Sequence, residues 1–94
     1  MEMLMMIVDS SVREELEIFL VKEGVRAYTE IPEVHGVGST GPRMGSVAYP
    51  GTSSMILAMV EGELLPTLCV RLEEYCAGCR ERIHLAHWPI TVLN

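Results

Sequence analysis

The sequence predicts an α+β domain, an antiparallel sheet with two helices packed on one face. Three observations carry that prediction. Four apolar, strand-like runs and two stretches of helical periodicity follow one another as strand, helix, strand, strand, helix, strand. Glycine, proline and short polar residues fall between these segments rather than within them. The chain has 94 residues, 49% of them hydrophobic, so residues 1–94 form one domain with a thin core and no second domain.

The first strand is read from Met3 to Val8, a continuous apolar run that suits a central strand; it ends at Asp9 and two serines. Ser11-Val-Arg-Glu14 fits a capping box, which opens a helix over about 11–23. Val12, Leu16, Phe19 and Leu20 make its apolar stripe, Arg13, Glu14, Glu17 and Lys22 face away, and Gly24 stops it. Val25 to Val34 is rich in β-branched and aromatic residues and reads as a strand; Pro32 places it at an edge or marks a bulge. A long loop, His35 to Thr52, follows. Ser53 to Val60 is a further apolar strand. Gly62-Glu63 opens the second helix, Pro66 sits in its first turn, and Gly78 ends it. Its buried stripe is Leu65, Leu68, Cys69, Leu72 and Cys76. Ile83 to Leu93 is the last strand, with an edge or bend at Pro89. This βαββαβ order is the ferredoxin-like pattern.

A formal net charge of −6, with only one Lys and six Arg, argues against nucleic acid and anionic membranes as partners. The N-terminal apolar run is too short for a signal peptide, and no stretch reaches a membrane span, so a cytoplasmic location is expected. Three cysteines, an odd number, do not suit a secreted disulfide framework.

Charge is unevenly spread along this acidic chain. His35 to Val60 holds no Asp or Glu, and five of the eight glycines lie between Gly36 and Gly51. Loops longer than about 12–15 residues inside compact domains are usually functional. Around Gly36, Gly38, Ser39, Thr40 and Arg43, glycine amides, hydroxyls and a guanidinium could cradle an anion. The alternative is a mobile hairpin extension whose glycines only permit flexibility. Gly-Lys-Ser/Thr is missing, so this is no P-loop, and no helix follows the Gly-X-Gly. A second candidate is Cys76-Ala-Gly-Cys79 with His84, a thiolate and imidazole set suited to Zn or Cu(I); packing is the alternative, and it is the reading for Cys69. No nucleophile-plus-base set is visible, so no enzyme is expected.

Thr29-Glu-Ile-Pro-Glu-Val-His-Gly-Val-Gly38, followed by Gly-Pro-Arg-Met-Gly and Tyr-Pro-Gly-Thr, resembles the PII signal-transduction proteins, specifically a short PII-like branch. The resemblance spans nearly the whole chain and identifies a T-loop over about residues 36–52. It implies a homotrimer with adenine-nucleotide or related anion sites in the intersubunit clefts, Gly36 and Gly38 at the cleft, and Arg80 or Arg82 in place of the family's lysine-rich turn. It further implies a T-loop, here with Arg43, Met44 and Tyr49, that signals to a target protein, a transporter or enzyme, with peripheral contact to a membrane protein. The chain departs from full PII proteins in having no Gln anywhere, no arginine-bearing C-terminal extension, and Tyr49 outside the family's modification context. Classical nitrogen sensing is therefore not expected. The alternative within the superfamily is a CutA-like trimer binding Zn or Cu.

Overall fold

The computed structural model describes residues 1–39, 41–75 and 83–94. The elements are β1 (Glu2–Asp9), a 3₁₀ turn (Ser10–Val12), α1 (Arg13–Lys22), β2 (Tyr28–Val34), β3 (Gly36–Gly38), β4 (Gly41–Arg43), β5 (Ser53–Val60), α2 (Leu65–Tyr75) and β6 (Ile83–Pro89). The main sheet has four strands in the order β2-β5-β1-β6, every pair antiparallel. With two helices covering one face, this is the ferredoxin-like sandwich expected.

Alternation along the strands builds the core. Leu4, Met6 and Val8 of β1 and Ile56, Ala58 and Val60 of β5 are buried, and Leu16 and Leu20 of α1 with Leu65, Leu68 and Leu72 of α2 close over them. Cys69 packs at the margin of this cluster, as the apolar stripe of α2 requires. Burial, and secondarily Glu73, push its thiol pKa above the ordinary value.

Several element ends differ from the sequence reading. The capping box does not form. Asp9 lies nearer the turn and accepts the Ser11 amide at 3.0 Å, so a 3₁₀ turn precedes the helix. Helix α1 then starts at Arg13 behind Val12, which offers no side-chain cap, and Glu14 stays exposed. Gly24 does end α1, with φ +97°. Val25 is 2% exposed but belongs to the link back into the sheet; β2 begins only at Tyr28. Strand β2 is an edge, and its register with β5 shifts between Ile31 and Val34, so both expectations for Pro32 hold. The second helix opens at Leu65 rather than Gly62-Glu63, and its expected stop, Gly78, lies outside the described residues. Strand β6 is the other edge and ends at Pro89 instead of reaching Leu93, because proline cannot continue the ladder.

The sheet face away from the helices is also apolar. Residues directly opposite one another in an antiparallel pair share a face. The registers therefore place Trp88, Met3 and Met59 in one row, Ala86, Met5, Leu57 and Thr29 in the next, and His84, Ile7, Met55 and Ile31 in a third. Met59, Ile31 and Trp88 are each more than 40% exposed.

Candidate functional site

The end of the sheet where β1 finishes and β5 begins carries the polar chemistry. The chain leaving β2 folds there into a small hairpin, with Gly36 opposite Arg43, Val37 opposite Pro42 and Gly38 opposite Gly41. The long loop is thus partly strand: its stem is the β3–β4 hairpin, which closes with Gly38 opposite Gly41, and a compact turn from Met44 to Gly51 follows the stem on the way back to the sheet. Met44 and Ser46 donate backbone bonds to the Tyr49 carbonyl at 3.3 and 3.0 Å, and Gly45 donates to Gly51 at 3.1 Å. Gly45 has φ +61°, and a Cβ there would meet Thr52 and His35 at 3.1 and 3.2 Å, so a larger residue is strained at this position.

Arg43, the last residue of the stem, points inward. Its Nε donates to Ser53 Oγ at 3.0 Å, and its Nη2 donates to the Thr52 carbonyl at 2.7 Å and to the Asp9 carboxylate. Gly51 lies so close that an added Cβ would stand 3.2 Å from Arg43 Nη1. Burial pulls the Asp9 carboxyl upward, but the Ser11 hydrogen bonds and the Arg43 charge outweigh it and hold its pKa below the usual value. Hydroxyls extend the network: Thr52 Oγ1 donates to Ser10 Oγ at 2.9 Å, and Ser54 Oγ donates to the Pro32 carbonyl at 2.6 Å.

Beside this network is a cavity of about 220 Å³. Ile7, Val8 and Asp9 of β1 form its floor with Ser53, the hairpin residues His35 to Gly38 and Arg43 form one wall, and His84 of β6 closes it. His35 Nε2 is also 3.0 Å from the Glu33 carboxylate.

Of the residues the sequence singled out, Gly36, Gly38 and Arg43 meet at this cavity, but Arg43 is turned to Asp9 instead of standing free for an anion. Ser39 lies outside the lining. His84 lines this cavity, and among the described residues no group of three His, Cys, Asp or Glu is placed to hold a metal ion. Thr40, Cys76, Cys79, Arg80 and Arg82 lie outside the described residues. In the turn that follows β4, Met44 is half-buried and Tyr49 is 49% exposed. Sequence reasoning missed Asp9 and Ser53 as site residues. The available signal was a lone carboxylate at the end of an apolar strand, next to serines.

A second polar cluster joins α1 to β2. Arg13 and Glu17 were expected to face away from the protein, yet Arg13 Nη1 donates to Glu30 Oε1 at 2.6 Å and Glu17 meets the same carboxylate. Burial first, then Glu30, push the Glu17 pKa up to about 7, while Glu17 and Arg13 hold Glu30 below its ordinary value. Glu17 Oε1 and Glu30 Oε2 are buried without a hydrogen-bond donor, which one shared proton would supply. The pairs Glu14–Glu15 and Glu73–Glu74 are exposed.

No family model matches the sequence, and no curated protein matches it by sequence comparison. Solved structures do. CPII of Thiomonas intermedia K12, a nitrogen regulatory PII-like protein bound to ADP, AMP and bicarbonate, superposes with a TM-score of 0.70 at 23% identity, covering 95% of this chain and 86% of that one. A protein of Thermus thermophilus, named as a PII-like signalling protein, gives 0.64 at 20% identity over 93% and 81% of the two chains. A DUF3240 family protein of Shewanella baltica gives 0.72 at 13% identity over 99% and 92%. The fold is therefore that of the PII-like proteins, as the sequence resemblance implied. Among the described residues, no helix is long and apolar enough to cross a membrane.

Proposed function

We propose that the chain is a non-enzymatic PII-like regulator that assembles as a trimer, binds an adenine nucleotide or similar anion at the base of its T-loop, and signals to a partner protein through that loop. The carrying observation is the cavity at the loop stem, where hairpin glycines, Arg43 and the end of β1 meet. At about 220 Å³ it is smaller than the roughly 300–1,000 Å³ of sites that enclose a whole small molecule, and it suits a phosphate-sized end of a ligand. The rest of a nucleotide then lies against a second subunit. The largely apolar sheet face supports such an assembly, since three rows dominated by half-buried or exposed Met, Leu, Ile and Trp favour association. CPII, which shares the fold, binds ADP, AMP and bicarbonate, and this makes adenine nucleotides the first ligands to try.

Calorimetric titration with ATP, ADP and AMP tests the ligand; absence of heat with all of them removes the nucleotide reading. Light scattering tests the assembly. Met5 lies in the middle row of the open face, opposite Leu57 and Ala86. Met5→Lys should turn a trimer into a folded monomer, because an unpaired charge cannot be buried at an apolar interface. A wild-type monomer at micromolar concentration, or a Met5→Lys protein that stays trimeric, contradicts the intersubunit site.

A further inference from the structure

Arg43 carries the permanent positive charge among the described residues lining the cavity, and that charge is already occupied. Nε is used by Ser53 and Nη2 by Thr52 and Asp9, while Nη1 lies beside Gly51. An anion reaching the cavity therefore meets a guanidinium whose charge is cancelled by a carboxylate in the same wall. Asp9 is itself fixed by the Ser11 amide at 3.0 Å, so it does not swing aside freely. Both side chains are about three-quarters buried, at 29% and 24% exposed, so the pair is screened less than a surface ion pair.

We propose that Asp9 is a specificity-determining residue, an internal anion that competes with the ligand for Arg43. This deepens the reading that the loop base takes an anion, and it rests on that reading. A ligand gains the uncompensated charge of Arg43 only by displacing Asp9, so the observed affinity is the intrinsic affinity multiplied by the small fraction of molecules with Arg43 free of that carboxylate. A multiply charged terminal phosphate competes better with one carboxylate than a singly charged group does. The exchange also acts on the loop. Arg43 ends the stem and bonds to Thr52, where the chain re-enters the sheet, so taking Arg43 from this network unties both ends of the turn from Met44 to Gly51 at once.

Asp9→Asn tests this, because asparagine keeps an oxygen for the Ser11 amide and turns an NH2 donor toward Arg43, so both the charge and the hydrogen bond that hold Arg43 are removed. ADP is the probe, titrated calorimetrically into wild type, Asp9→Asn and Arg43→Gln. The expected result is about three- to tenfold tighter ADP binding for Asp9→Asn, the range for releasing one partly exposed ion pair, and at least tenfold weaker binding for Arg43→Gln. Heat in the wild type with unchanged or weaker binding by Asp9→Asn overturns the competition and leaves the nucleotide reading intact. No heat in any of the three proteins removes the nucleotide reading and the competition with it. A second measurement needs no folded Asp9 variant. The Arg43 Nε–H resonance of wild type, assigned by its loss in Arg43→Lys, should shift on saturation with ADP; if ADP binds and that resonance stays in place, the ligand leaves the Asp9–Arg43 pair intact and the proposal is wrong.

Discussion

Glu17 should make the stability of this domain fall as pH rises through neutrality. Its carboxyl is raised from an ordinary 4.5 to about 7, by burial and then by the facing Glu30. A raised carboxyl binds its proton more tightly in the folded chain, so the contribution is present at low pH and is lost as pH climbs from about 4.5 through about 7. Glu30 is shifted the other way, and its contribution is lost only as pH falls below the normal carboxylate range, outside this window. With about 1.36 kcal/mol per unit, integration between about pH 5.5 and pH 8 gives roughly 2 kcal/mol, and about half of that after allowing for water at the edge of the cluster. For a domain of this size about 1 kcal/mol corresponds to roughly 4–8 °C in Tm. The assay is a thermal melt followed by circular dichroism at fixed protein concentration across this pH range, with Glu17→Gln beside wild type. Glutamine donates permanently to Glu30 Oε2, so its melting temperature should be nearly flat where the wild type declines. An equal decline in both proteins would refute the shared-proton account, and so would a flat wild type.

Ser54 is fully buried and donates to the Pro32 carbonyl at the β2 irregularity, so Ser54→Ala should cost about 1–2 kcal/mol by leaving that carbonyl unpaired, measured by urea denaturation. Gly45→Ala should cost about 1 kcal/mol, because Gly45 has φ +61° and an added Cβ would meet neighbours at 3.1 and 3.2 Å; the expected readout is a melting temperature lower by roughly 4–8 °C.

What could be read directly from the chain is what repeats along it. Leu4, Met6 and Val8 alternate, and Leu65, Leu68 and Leu72 recur at helical spacing; each pattern forces one face inward whatever the rest of the chain does. The apolar residues between them, Met3, Met5 and Ile7, were equally visible and mark β1 as central with both faces apolar. Boundaries were less legible because they depend on local competition. Ser11 and Glu14 satisfy the capping-box pattern, but Asp9 is two residues from Ser11 and takes its amide first, so the box never closes. The reach of Arg13 and Glu17 to Glu30 was also hidden, since a charged residue on a helix reads as solvated until a partner strand is placed beside it.

The loop shows the same limit in its sharpest form. A stretch with no carboxylate from His35 to Val60 suggests a positive lobe left open around Arg43. In the folded chain that charge is compensated from 34 residues away, by an acid that belongs to β1 and not to the loop. Local composition therefore misjudges the field at this site, because the strand order sets β1 directly against β5, where the loop returns to the sheet. A free Arg43 would make the site a general anion trap with a loose stem. Paired with Asp9, the same residue ties the loop to the sheet, and under the proposed competition its release would depend on how much negative charge the incoming group carries. One ion pair can in this way link what the cavity holds to how the loop is held, with no other moving part required.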